Sequence, residues 1–165
     1  MERGSIEIIC GRELAANLFG IERALTAIPA DAPIYMGRFT GGRCSLTKQR
    51  FPHLTVERYR VHTARSLPDG HIEQATRAAL YGYEKAYYAL TSGHFDLVIA
   101  EEITTMIEEG LLAVEQVLHL MEMKPLRVRL LLTGSIVPPV LREAADIVSE
   151  ISHTQQPHTT AGFGR

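Results

Sequence analysis

The chain has 165 residues, 45 % of them hydrophobic and 22 % charged, a globular composition long enough for one sizeable core. Seventeen Lys and Arg against nineteen Asp and Glu leave a net charge of −2, which argues against a general nucleic-acid binder. No apolar run approaches the ~20 residues of a spanning helix, and two cysteines, Cys10 and Cys44, make neither a disulfide framework nor a zinc set.

Ser5 to Cys10 is rich in β-branched residues and ends at Gly11, which predicts a strand. Glu13 to Ile28 carries Leu14, Leu18, Ile21, Leu25 and Ile28 at helical spacing. Ala32 to Phe39 reads as a second strand, broken by Gly41-Gly42, and residues 43–53 as an exposed basic loop. Leu54 to His62 alternates weakly as a third strand. His71 to Thr91 has the clearest helical pattern, with Gly93 as its stop. Phe95 to Ala100 and Arg127 to Thr133 read as buried strands, and Leu111 to Met123 as the helix between them. Pro138-Pro139 opens a helix through Ala145, Asp146 to Ser152 forms a last short strand, and a polar tail, 153–165, is expected to be mobile. Strands alternating with helices predict one α/β domain over 1–152, a mostly parallel sheet of about five or six strands with helices on both faces.

Ligands on such sheets sit beyond the carboxyl ends of the strands. Glu101 and Glu102 follow an apolar strand, where an acid either holds magnesium, directly or through water, or is simply solvated. Only one of the pair can point along the rim, and Glu102 is the first choice, Glu101 the second. Thr133-Gly134-Ser135 ends the next strand; its glycine and hydroxyls suit a phosphate, or a plain turn. The first turn reads Gly11-Arg12-Glu13-Leu14-Ala15-Ala16. A phosphate loop needs glycine-rich backbone followed by Lys-Ser/Thr, and this turn has one glycine, no lysine and no hydroxyl, while Glu13 would repel a triphosphate. A single anion at the helix start, assisted by Arg12, is what it can still hold. Seven histidines are dispersed without metal-pair spacing. Tyr81, Tyr83, Tyr87 and Tyr88 crowd one helix, as core or as a dimer face. The residues suggest no Ser-His-Asp or Cys-His set, and no catalytic residue is assigned.

From Phe95 to Glu150 the chain resembles the corrinoid adenosyltransferases of the ATP:cob(I)alamin type, a P-loop family. The matching run is Phe95-Asp96-Leu97-Val98-Ile99-Ala100-Glu101-Glu102, Gly110-Leu111-Leu112, Thr133-Gly134, Pro138-Pro139, Glu143-Ala144-Ala145-Asp146 and Ser149-Glu150. Weaker likeness covers Met36-Gly37-Arg38-Phe39, Gly41-Gly42, the long helix from Gln74 to Gly93, and Ala161-Gly162 after His158. The resemblance implies a three-layer parallel sheet of the P-loop nucleotide-hydrolase type and a cytoplasmic homodimer without membrane or nucleic-acid partners. It also implies ATP, Mg2+ at Glu102 and a corrinoid such as cobalamin as substrate or ligand. The nucleotide or anion would meet Gly11, Arg12, Arg38, Thr133 and Gly134, with Arg43 a further candidate cation. The departures fall on the functional parts. Leu14 and Ala15 stand where the family's loop has lysine and threonine, the loop is about two residues shorter, the strand-end aspartate is Glu101, and the arginine after Thr-Gly is Ser135. The family's Phe-Thr-Trp segment is replaced by His62-Thr63-Ala64-Arg65-Ser66, and the chain has no tryptophan. Two expectations follow: adenosyl transfer from ATP to a corrinoid, as in the family, or a non-catalytic paralogue that binds a corrinoid or regulates.

Overall fold

The structure is a computed structural model that describes residues 3–12, 14–41, 50–61 and 71–151, with the side chains of 14–16 outside the description. Its elements in chain order are β1 (Ile6–Cys10), α1 (Leu14–Thr26), β2 (Ile34–Arg38), β3 (Leu54–Arg58), α2 (Ile72–Thr91), β4 (Leu97–Glu101), α3 (Ile103–Glu108), α4 (Val114–Glu122), β5 (Arg129–Gly134), α5 (Pro139–Ala144) and β6 (Ile147–Glu150). The six strands form one sheet in the order β3-β2-β4-β5-β1-β6, and every pairing is parallel. This is the parallel α/β sheet that the alternation of elements predicts, consistent with the three-layer P-loop nucleotide-hydrolase type that the family resemblance implies.

Side chains alternate across the sheet and sort into two cores. Ile6, Ile8, Tyr35, Val98, Ala100, Leu130 and Leu132 meet residues of α2 to α5 on one face. Ile9, Ile34, Met36, Leu97, Ile99 and Leu131 meet Ile21, Ala24 and Leu25 of α1 on the other. The central strands β4 and β5 are buried on both faces, which explains their uninterrupted apolar sequences. Registers Ile8↔Leu132 and Ile9↔Thr133 then carry the ends of β1 and β5 to one level, and Gly11 N–H donates to Gly134 O at 3.0 Å.

The connection after β4 differs from expectation. A six-residue helix, α3, occupies 103–108, and the helix expected from Leu111 begins only at Val114. Glu102 starts α3 in the left-handed conformation, φ 65°, and Gly110, φ 69°, ends its trailing turn. One and a half turns are too short to show a 3.6-residue period, so the segment has no helical signature in sequence. Gly93 has φ 76° and stops α2 as expected. Residues 13, 42–49, 62–70 and 152–165 lie outside the description, and with them most of the basic loop expected over 43–53, the tail expected over 153–165, and the expectations placed on Glu13, Arg43 and His62–Ser66.

Candidate functional site

Parallel strands all aim their carboxyl ends at one rim, and there the turns after β1, β4 and β5 enclose a cavity of about 460 Å3 with the first turn of α1. Gly11, Arg12, Glu102 and Ser135 line it; Arg38, Glu101, Thr133 and Gly134 are not among the described residues that do. Asn17, Thr40, Thr105, Glu108 and Glu109 line it too, and none of these is a sequence candidate. Three carboxylates face one arginine among the described lining residues, the opposite of the charge balance that polyphosphate prefers.

Glu102 is the centre of the cluster. It is buried, and its left-handed backbone lets its N–H donate to Thr133 Oγ1 at 3.0 Å. Such a φ strains a residue with a Cβ, and the strain serves to turn the carboxylate from the strand into the cavity. Both carboxylate oxygens have side-chain donors: Asn17 Nδ2 at 2.6 Å on Oε1 and Thr105 Oγ1 at 2.7 Å on Oε2. Asn17 Nδ2 also lies 3.4 Å from Gly134 O and 3.5 Å from Gly11 O. Ser135 N–H donates to Thr105 Oγ1 at 3.1 Å, and the Ser135 hydroxyl donates to Glu108. Cys10 Sγ donates to Ser135 O at 3.0 Å; burial, and then the Glu150 carboxylate, push the thiol up from its ordinary value.

Arg38 and Glu101 stand differently from the expectation that one meets an anion and the other is a second-choice metal ligand. They are register partners at the ends of β2 and β4, both wholly buried on the α1 face, and they form a salt bridge. Arg38 Nη2 donates to Glu101 Oε1 at 3.1 Å, and Nε donates to Oε2. Alternation puts residues 34, 36, 38 and 97, 99, 101 on the same face, so the two side chains meet under the sheet rather than on its rim. The Thr133 hydroxyl accepts from Glu102 N–H inside the fold. Gly134 is required for a reason other than ligand approach. A Cβ there would collide with Thr104 Oγ1 and stand 2.7 Å from Thr105 N, so glycine lets α3 lie against β5.

Asn17 carries a signal that sequence reading can use. It falls in the apolar stripe of α1 with Ile21 and Ala24, and a polar residue in a buried stripe implies a polar partner across the core. Thr105, Glu108 and Glu109 reach the cavity through α3, whose existence has no such signal. On α2, Tyr83 and Tyr87 are half-buried, whereas Tyr81 and Tyr88 are exposed. Among the described residues no helix is long and apolar enough to cross a membrane, and no group of three His, Cys, Asp or Glu could hold a metal ion.

Comparison with known proteins matches residues 2–164 to the family described as ATP:corrinoid adenosyltransferase BtuR/CobO/CobP. A curated relative, "Uncharacterized protein all2391" of Nostoc sp. (strain PCC 7120), is 29 % identical over 120 residues, 72 % of this chain. The match spans about a third, 32 %, of that relative's length. Among solved structures, EssC (ATPases 2 and 3) from Geobacillus thermodenitrificans is 13 % identical, with a TM-score of 0.47 over 90 % of this chain and 32 % of that one.

Proposed function

Because this chain belongs to the ATP:corrinoid adenosyltransferase family, we propose that it is a corrinoid-binding member that no longer transfers adenosyl from ATP, a non-catalytic paralogue with a binding or regulatory role. The observation that carries the reading is the first turn of α1. Leu14 and Ala15 supply neither the ammonium nor the hydroxyl that a phosphate loop uses. Gly11 N–H, which would face a phosphate, donates instead to Gly134 O.

The residues present do not fit magnesium and a triphosphate. Both oxygens of Glu102 have donors of the chain's own, and Glu108 and Glu109 add negative charge where the phosphates would lie. Losing a single contact to the charge that develops on a leaving group costs about 3–4 kcal/mol in transition-state stabilisation, and here several are missing at once. The family match supports the corrinoid as the ligand; a homodimer in the cytoplasm, with the exposed tyrosines of α2 at its interface, completes the proposal.

Calorimetric titration of the purified chain with Mg-ATP and with cobalamin, separately, tests it. Heat of binding from cobalamin and none from Mg-ATP is the expected result; a tight Mg-ATP complex refutes it. Arg12 on the cavity wall favours a second reading, in which arginine neutralises the triphosphate and adenosyl transfer persists. ATP-dependent formation of adenosylcobalamin from the reduced corrinoid would establish that reading.

A further inference from the structure

Asn17 stands in the first turn of α1 and is only 1 % exposed. Three oxygens from three separate turns surround its Nδ2: Glu102 Oε1 at 2.6 Å, Gly134 O at 3.4 Å and Gly11 O at 3.5 Å. One carboxylate and two peptide carbonyls converging on a point make an all-oxygen set of the kind that suits a hard cation. Here the point is filled by an amide NH2, which has two donors and partial positive charge.

The orientation of that amide follows from its surroundings. Turned over, Oδ1 would face the same three oxygens with no hydrogen between them. As it stands, Oδ1 is buried with no hydrogen-bond partner among the described residues. An orphaned acceptor of this kind costs about 1–3 kcal/mol. The fold carries that cost because a buried carboxylate beside two carbonyls, with no donor at the point where they converge, is the more expensive arrangement.

We infer that the Asn17 amide is an internal substitute for a divalent cation at Glu102. It ties together the turns after β1, β4 and β5, and it keeps that position from magnesium. The inference deepens the reading in which ATP turnover is lost, and it can fail without that reading failing. It also makes the change reversible by design, since shortening one side chain would return the oxygens to a cation.

The test titrates Mn2+ into the full chain and follows the free ion by electron paramagnetic resonance. Asn17→Ala should bind one Mn2+ per chain at least about tenfold more tightly than wild type, and Asn17→Ala with Glu102→Gln should return to the wild-type level. If Asn17→Ala does not fold, Asn17→Ser frees space while keeping a polar group and takes its place. A second readout uses the wild type itself. The Asn17 side-chain signals in an amide proton–nitrogen correlation spectrum should not move as Mg2+ is added.

Saturable Mn2+ binding by the wild type that Glu102→Gln abolishes would overturn the inference, as would movement of the Asn17 signals with Mg2+. A folded, shortened variant that gains no affinity would overturn it too. Any of these, with Mg-ATP still unbound, would leave the corrinoid reading standing. Tight Mg-ATP binding that survives Glu102→Gln would refute that reading and leave Asn17 in its assigned role.

Discussion

Replacing Glu101 by glutamine removes one charge from a pair whose side chains are 0 % and 1 % exposed. The change is nearly isosteric, so packing is kept and the effect is electrostatic. Arg38 loses the carboxylate that its Nε and Nη2 both engage, and no solvent reaches the site to replace it. Breaking a buried pair from one side costs about 3–5 kcal/mol. Against a typical total of about 5–15 kcal/mol, that is a large fraction of the folding free energy. For a domain of this size it corresponds to a fall in Tm of roughly 6–20 °C. Urea unfolding followed by circular dichroism, with a parallel thermal scan, measures it. The double variant Arg38→Met, Glu101→Leu is the control: removing both charges of the pair should recover part of the loss. A Glu101→Gln protein within about 1 kcal/mol of wild type, the range of an exposed pair, would refute the assignment of a desolvated salt bridge.

Gly134→Ala should destabilise by about 1–3 kcal/mol through overpacking against α3, and Thr104→Ala should relieve part of the loss by removing the first atom the new methyl meets, as denaturant midpoints of the single and double variants will show. The hydrogen-bonded phenols of Tyr35 and Tyr59 are both pushed above their ordinary value of 10.0, chiefly by burial. The folded state therefore keeps protons that the unfolded chain releases, and stability should be complete below pH 10 and fall above it by about 1.4 kcal/mol per pH unit for each phenol. Urea midpoints measured through that range, with Tyr35→Phe showing the shallower fall, check the sign. Tyr88 is 69 % exposed on α2; if the helix is a dimer face, light scattering should give a dimer for the wild type and a monomer for Tyr88→Glu, and a wild-type monomer removes the proposal.

Local pattern made β4 and β5 legible because strands buried on both faces read as apolar runs, β1 because it is rich in β-branched residues, and α2 because twenty residues hold a helical period long enough to recognise. Since parallel strands share a direction, those runs also implied that Gly11, Glu102 and Gly134 would stand at one rim. The identity of neighbours within that rim was decided by tertiary structure alone. Arg38 and Glu101 are 63 residues apart, and their union depended on β2 pairing with β4 in one register. A shift of β2 by one residue would have turned Arg38 to the other face, away from Glu101. Asn17 and Glu102 are 85 residues apart, joined by a short helix with no sequence period and a left-handed residue at its start. The chemical losses at the first turn could be read one residue at a time, since a missing ammonium or hydroxyl is a property of composition. What replaced them could not, because an amide becomes a counterpart to a carboxylate only when the fold brings the two within 2.6 Å.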